Sequence, residues 1–175
     1  MNKKRKVQTM QTTIYNYKKQ AMKTCLPSSY NWGYAINGIE SEYYELKAKI
    51  KGAIAKEIRD GVDFNLQKSV NSISDEVGDC FWFLALMCEL NDDKFENLFK
   101  SKNRFFIFKS VFKFFTQYGF INAIIYSIKL THLISFLHKT CFNFDLDMTE
   151  CLQRNISKLL SRKERNVIKG SGDER

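Results

Sequence analysis

Proline and glycine are scarce in this chain, whose 175 residues include one proline and eight glycines. Both residue types interrupt helices, proline because it lacks a backbone N–H group and glycine because its backbone is so flexible. Leu, Ile, Lys, Glu and Phe are plentiful instead, and hydrophobic residues make up 44% of the chain. The composition therefore predicts an all-α fold, and the length suits a single domain covering residues 1–175.

Paired cysteines are also missing. The five cysteines form no CxxC pair and are odd in number; they are Cys25, Cys80, Cys88, Cys141 and Cys151. This pattern argues against a zinc knuckle and against a disulfide framework. It predicts reduced, buried thiols in an intracellular protein, which we expect to be cytoplasmic.

The chain has no apolar run long enough to cross a bilayer. The longest uncharged run in its second half, residues 114–128, has fifteen residues and includes Gln117 and Asn122, whereas a spanning helix needs about 20. A signal peptide is not expected, because polar residues follow the basic cluster at residues 3–6. That cluster could be a nuclear address, although a solvated tail is the commoner explanation.

Acidic residues are outnumbered, since 19 Asp and Glu face 28 Lys and Arg, which gives a formal net charge of +9. Such a surplus favours anionic partners, which include nucleic acid, an acidic membrane surface and free nucleotides. Charge alone does not choose among them.

Apolar residues recur at steps of three and four and predict a series of helices. The first two are predicted over residues 8–24 and 34–58, and a polar connection follows over residues 59–71. Ser72 or Ser74 is predicted to cap the next helix, which runs to about residue 90. The last helix starts near Asp147 or Thr149 and leads into a basic tail over residues 163–175.

Residues 92–146 are predicted to be helical, with a stretch rich in phenylalanine over residues 104–140. This region would begin with a polar helix over residues 92–101. A basic amphipathic helix over residues 104–115 could lie on an acidic membrane or pack into the bundle or a subunit interface. We favour packing, because aromatic stripes at helical spacing usually belong to a core. His132 and His138 lie in this region, and we expect neither to be catalytic.

Two acidic pairs border the apolar seams of the second and third predicted helices. Glu42 and Glu45 are three residues apart, as are Glu76 and Asp79, and residues at this spacing share a helix face. If the seams pack together, four carboxylates meet, and two like charges about 6 Å apart repel by roughly 3 kcal/mol at an effective dielectric near 20. Mg²⁺ takes oxygen ligands and would relieve this repulsion. Alternatively, Asp75, Glu76 and Asp79 could simply favour the macrodipole at a helix N-terminus.

Two segments resemble the ExxE and ExxD helices of the MazG-like all-α nucleoside triphosphate pyrophosphohydrolases, a family related to the all-α dUTPases. They are GIESEYYEL at residues 38–46 and DEVGDCFWFLAL at residues 75–86. The stretch KTCLPSSYNWGYAINGIESEYYEL is similar to the start of a phage-type branch of that family, and NISKLLSRKERNVIKGSGDER resembles its close. Together the similar regions cover residues 15–91 and 147–175.

The resemblance implies a MazG-like helical bundle that hydrolyses a nucleoside or deoxynucleoside triphosphate to the monophosphate and pyrophosphate, in housecleaning or control of a nucleotide pool. It implies Mg²⁺, with Mn²⁺ as a substitute, held by Glu42, Glu45, Glu76 and Asp79 as the catalytic and metal-binding set. One of the glutamates would accept the proton of the attacking water. The family's habit also implies a homodimer or a homotetramer.

Basic residues of the last predicted helix should face the triphosphate. Asn155, Lys158 and Arg162 are spaced by three and four residues, and Arg165 follows them. The resemblance makes these four the substrate-binding set, although a solvated helix face is the simpler alternative. Trp32 could stack on a base, but a core anchor is the more usual role of such an aromatic residue.

The chain departs from the phage-type branch at Tyr44, where that branch usually has glycine. It also departs at residues 92–146, a helical insertion in place of what is usually a short connection between the third and fourth core helices. The competing function is therefore a catalytically inactive helical protein that binds nucleic acid or an acidic membrane surface. Retention of all four acids argues against it, because a protein that binds polyanions gains nothing from clustered carboxylates.

Overall fold

The computed structural model describes residues 14–61, 67–99 and 120–167, and these residues are all-α, as predicted, with no strand among them. Two short 3₁₀ turns, Pro27–Ser29 and Phe95–Phe99, lie between helices. The helices within these ranges are α1 over residues 14–22, α2 at Trp32–Asp60, α3 at Gln67–Leu90, α4 at Phe120–Asn143 and α5 at Met148–Glu164.

Helix α2 begins and ends at residues suited to those positions. The Asn31 side chain accepts a hydrogen bond from the backbone N–H of Tyr34 at 2.8 Å, which caps the first turn. Gly61 ends the helix in the left-handed conformation, with a φ of 60°, and its N–H donates to the carbonyl of Glu57. The predicted range of 34–58 is therefore correct to within two residues at each end.

Helix α3 is the centre of the core, because every side chain from residue 80 to residue 88 is buried. It packs on α2 through buried residues such as Leu46. The close contact depends on Gly38, where an added Cβ would lie 2.0 Å from the ring of Phe83. It also packs on α5, where a Cβ on Gly78 would lie 2.8 Å from the Cβ of Asn155. Two glycines thus allow α3 to approach both neighbours closely.

The prediction that Ser72 or Ser74 caps the third helix is wrong, because α3 already begins at Gln67. Ser74 is 5% exposed, and its hydroxyl donates to Cys151 Sγ at 3.2 Å. Arg154 of α5 donates to Asp75 and Asn71, so contacts between helices stabilise the additional turns. The polar connection is accordingly shorter than the predicted range of 59–71.

The prediction of a polar helix over residues 92–101 is also wrong where it can be compared with the structure, at residues 92–99. Asp92 has a φ of 57°, and the N–H of Asp93 donates to the carbonyl of Cys88 at 2.7 Å, so the chain turns away after α3. The 3₁₀ turn that follows buries Phe95, whose ring stacks on that of Tyr17 with centroids 5.1 Å apart. Reaching this core position requires a change of direction that a continued helix would not make.

Within the predicted insertion, the expectation of helix is confirmed for Phe120–Asn143, helix α4, which buries Leu130, Leu133 and Leu137. The proposed amphipathic helix over residues 104–115 lies outside the described residues. Among the residues that are described, no helix is long and apolar enough to cross a membrane. Helix α5 begins at Met148, in agreement with the predicted start near Asp147 or Thr149, and Asp147 caps it by accepting from the backbone of Thr149. The tail from residue 168 onward is again outside the described range.

All five cysteines are free thiols, four of them buried and Cys25 half-buried. The prediction of unpaired, largely buried thiols is therefore confirmed.

Candidate metal centre

Three carboxylates meet where α2 packs against α3. Glu42, Glu45 and Glu76 each offer one carboxylate oxygen, and the three oxygens lie within 4.8 Å of one another. Glu76 is 1% exposed, Glu42 is half-buried and Glu45 is exposed, so the cluster extends from the core to the surface. Three of the four carboxylates that the sequence predicts to meet between packed seams therefore lie together.

Glu76 and Asp79 do not stabilise the start of a helix. Helix α3 begins at Gln67, so both acids lie more than two turns inside it. The favourable effect of a helix dipole on a carboxylate is confined to the first turn. Asp75 is engaged differently, because it accepts two hydrogen bonds from the guanidinium of Arg154. The macrodipole explanation of these acids therefore fails.

Glu42 experiences the unfavourable electrostatics of the cluster. Its pKa is raised from 4.5 to about 8, first by burial and then by the negative charges of Asp79, Glu45 and Glu76. Lys158 acts in the opposite direction but does not compensate for them. A bound cation would remove this repulsion, because it would replace like-charge contacts by attractive ones.

Asp79 is the fourth predicted acid, and two side chains of α5 hold it. Asn155 Nδ2 donates to Asp79 Oδ1 at 2.6 Å, and Lys158 Nζ lies 2.6 Å from Asp79 Oδ2. Asp79 is not a member of the group of three close oxygens, although it is near enough to raise the pKa of Glu42. Its role as a fourth metal ligand therefore stays a prediction.

A second lysine approaches the carboxylates from α2. Lys49 Nζ lies 3.6 Å from Glu76 Oε1, and its side chain is 44% exposed, whereas that of Glu76 is 2% exposed. Lys49 follows Glu45 by one helical turn, so both project from the same face of α2. The carboxylates are thus bordered by one ammonium group from α2 and another from α5.

Asn155 belongs to a buried chain of hydrogen bonds. It is 1% exposed, and its Oδ1 accepts a hydrogen bond of 2.8 Å from the hydroxyl of Tyr17 in α1. The same hydroxyl lies 3.3 Å from the carbonyl oxygen of Gly78. Asn155 therefore supports Asp79 from inside the protein and does not offer its amide to solvent.

The other two predicted substrate-binding residues lie further along α5. Arg162 is half-buried in the last turn of the helix, and Arg165 is exposed at its C-terminal end. The guanidinium of Arg165 donates to the carbonyl of Ser161 at 3.3 Å. The binding roles of both arginines stay predictions.

The remaining residues that the sequence singled out differ in their exposure. Trp32 is buried with 8% exposure, in agreement with a core anchor. His132 and His138 are exposed on α4, and Tyr44 is 64% exposed on α2. The residue that differs from the phage-type branch therefore points toward solvent, away from the packed contact between α2 and α3.

Sequence analysis missed two residues of the site, Lys49 and Tyr17. Lys49 could have been found, because it lies four residues after Glu45 and seven after Glu42 on one helix face. Tyr17 carried no such signal, since 61 residues separate it from Gly78 and 138 from Asn155.

The donor set fits a hard divalent cation. All three close ligand atoms are carboxylate oxygens, which Mg²⁺ and Mn²⁺ prefer, and Mg²⁺ commonly completes its coordination with waters and substrate phosphates.

Comparison of the chain with protein-family models, with curated proteins and with solved structures gives no match.

Proposed function

We propose that this protein is a Mg²⁺-dependent nucleoside triphosphate pyrophosphohydrolase, which converts a nucleoside or deoxynucleoside triphosphate to the monophosphate and pyrophosphate. The observation that carries the proposal is the convergence of Glu42, Glu45 and Glu76 from two helices, with oxygens within 4.8 Å of one another and with lysines beside them. Helix packing alone does not account for the three close acids, because their proximity is unfavourable. Burial and the neighbouring negative charges hold the pKa of Glu42 far above its ordinary value.

Glu42, Glu45 and Glu76 would hold Mg²⁺, and Asp79 is the fourth candidate. When bound, the ion neutralises the charge of the polyphosphate and lowers the pKa of the attacking water. Lys158 and Lys49 lie at carboxylates of the site, which supports the proposal that they bind phosphate oxygens once a metal ion compensates the acids. One of the glutamates accepts the proton of the water.

The finer parts of the proposal follow from the resemblance of residues 38–46 and 75–86 to the MazG-like family. They are a MazG-like helical bundle, a homodimer or homotetramer, and a cytoplasmic role in housecleaning or control of a nucleotide pool. Arg162 and Arg165, further along α5, complete the proposed phosphate-binding set.

Product analysis tests the proposal directly. The purified chain is incubated with Mg²⁺ and with each common NTP, each dNTP and dUTP separately, and the products are resolved by anion-exchange chromatography. We expect monophosphate and pyrophosphate from one or a few substrates, and no products in EDTA. Inorganic phosphate together with a diphosphate would show that a different bond is cleaved.

A pair of matched variants assigns the activity to the site. Glu76→Gln should abolish hydrolysis while circular dichroism shows the helical content unchanged. Glu57→Gln is the control, because Glu57 is an exposed acid of the same helix α2 that supplies Glu42 and Glu45. Equal activity of the two variants would contradict the site assignment.

Absence of turnover with every nucleotide would favour the competing function, a helical protein that binds nucleic acid or an acidic membrane. The net charge of +9 is the observation that supports it. Retention of the chain by labelled RNA or by anionic vesicles, lost at high salt, would then be the expected result.

A further inference from the structure

We propose that Tyr17, in the first helix, is a positioning residue of the candidate metal centre. Its hydroxyl fixes the side-chain amide of Asn155, and the amide in turn orients the carboxylate of Asp79. The kinetic and metal-binding parts of this inference rest on the proposed function, whereas its structural part does not.

The direction of the hydrogen bonds supports this chain of contacts. An ionised carboxylate can only accept, so Asn155 must turn its NH₂ group toward Asp79, at 2.6 Å. The amide oxygen of Asn155 then faces the other way and needs a donor. Tyr17 supplies that donor at 2.8 Å. The contacts therefore define a single orientation of the amide.

Burial makes this orientation depend on Tyr17. Tyr17 is 2% exposed and Asn155 is 1% exposed, so bulk water does not reach the contact. Burial also raises the pKa of Tyr17 well above its ordinary value, with a further contribution from Asp79, so the hydroxyl keeps its hydrogen. A buried acceptor that loses its donor is costly, because no solvent replaces the lost hydrogen bond.

The packing around Tyr17 allows the hydroxyl to be removed without disturbing the ring. The ring stacks on Phe95 with centroids 5.1 Å apart, and Tyr17→Phe preserves that contact. Without the hydroxyl, the buried amide oxygen of Asn155 loses the hydrogen bond from Tyr17, and Asp79 holds the amide from its NH₂ side alone. The amide, and through it the carboxylate of Asp79, is then less firmly fixed.

The expected effect is that of losing an outer contact of a metal site. Such changes typically weaken metal affinity or activity by about 10- to 100-fold. We expect Tyr17→Phe to raise the Mg²⁺ concentration for half-maximal hydrolysis by about tenfold, and to weaken Mn²⁺ binding, followed by electron paramagnetic resonance without nucleotide, by a similar factor.

Thr24→Val is the matched control. Thr24 is 4% exposed, its hydroxyl donates to the carbonyl of Ala21 at 2.6 Å, and it accepts from Trp82 Nε1 of α3 at 3.0 Å. Like Tyr17→Phe, the substitution Thr24→Val therefore removes a buried hydroxyl that links the first helical region to α3. Thr24→Val should lower the melting temperature while leaving both metal constants unchanged. Equal metal constants in Tyr17→Phe and Thr24→Val would overturn the inference.

A spectroscopic measurement decides the matter independently of metal and nucleotide. In ¹⁵N-labelled protein, the side-chain NH₂ resonances of Asn155 are identified by their disappearance in Asn155→Asp. We expect them to be protected from exchange with solvent in the wild type and in Thr24→Val, and to lose that protection in Tyr17→Phe. Protection that persists in Tyr17→Phe would overturn the inference even if the wild type neither binds Mn²⁺ nor hydrolyses a nucleotide.

Discussion

Among the individual residues of the site, Glu42 combines partial burial with three negative neighbours. Its pKa is raised from 4.5 to about 8 in the folded protein, while the unfolded chain restores the ordinary value. Between these two pH values the folded state binds more protons than the unfolded state. The free energy of unfolding therefore falls as pH rises through this window.

We expect Glu42→Gln to remove the fall in the free energy of unfolding that the titration of Glu42 causes. In EDTA, the melting temperatures of wild type and variant should diverge as pH rises from about 5 to about 9, with the wild type becoming the less stable. Comparing the two proteins cancels the titration of the remaining groups. Parallel curves over the whole range would contradict the raised pKa.

In the proposed reaction, Lys49 should affect binding of the triphosphate more than the chemical step. Lys49→Gln removes the ammonium group 3.6 Å from Glu76. We expect the KM for the triphosphate to rise by about tenfold, while kcat changes little, since a charged hydrogen bond contributes about 1.5 to 3 kcal/mol. Lys56→Gln, at an exposed position of the same helix, is the control. A fall in kcat alone would assign Lys49 to the reaction itself.

At the scale of elements, the contact between α2 and α3 decides whether the carboxylates meet, and it depends on one glycine. A Cβ at Gly38 would lie 2.0 Å from the Phe83 ring, whereas a Cβ at Gly52 of the same helix meets no atom within 4 Å. We expect Gly38→Ala to lower the free energy of unfolding by about 1 to 3 kcal/mol through overpacking.

Gly52→Ala should stabilise the protein by up to about 1 kcal/mol, because alanine is the better helix former. Urea unfolding of both variants measures the two changes in the free energy of unfolding, which we expect to have opposite signs. Stabilisation of Gly38→Ala similar to that of Gly52→Ala would show that α2 and α3 do not approach as closely as the structure has it.

Helix limits illustrate how contacts between elements override local signals. Local signals predicted the beginning of α5, because Asp147 caps it by accepting from the backbone of Thr149. They failed for α3, where Ser74 looked like a cap but lies in the interior against Cys151. Propensities for serine describe an isolated helix end, whereas burial against another helix adds contacts that a local pattern does not contain.

For the whole molecule, a metal ion that binds the folded chain alone should stabilise it. At 100 times the dissociation constant, the gain is about 2.7 kcal/mol, which for a protein of this size raises the melting temperature by roughly 5 to 10 °C. We expect this rise with Mg²⁺ in scanning calorimetry, and its loss in the variant Glu42→Gln/Glu45→Gln/Glu76→Gln. A rise that survives in the triple variant would place the ion elsewhere.

The sequence by itself determined the all-α class, the unpaired cysteines and the pairing of acids on two helices. Each of these depends on composition or on spacing along a single helix, and none of them depends on how the helices pack together. The approach of Glu42, Glu45 and Glu76 was predicted only on the condition that two apolar seams pack together.

The tertiary structure alone decided which side chains support the acids. Tyr17 reaches Asn155 across 138 residues of chain, and Asp79 faces α5 because Gly78 allows close packing there. Such contacts arise from the relative placement of helices, which no periodicity within one helix encodes. The same reason explains Glu42, whose raised pKa depends on burial and on the acids of α3 as well as on its neighbour Glu45.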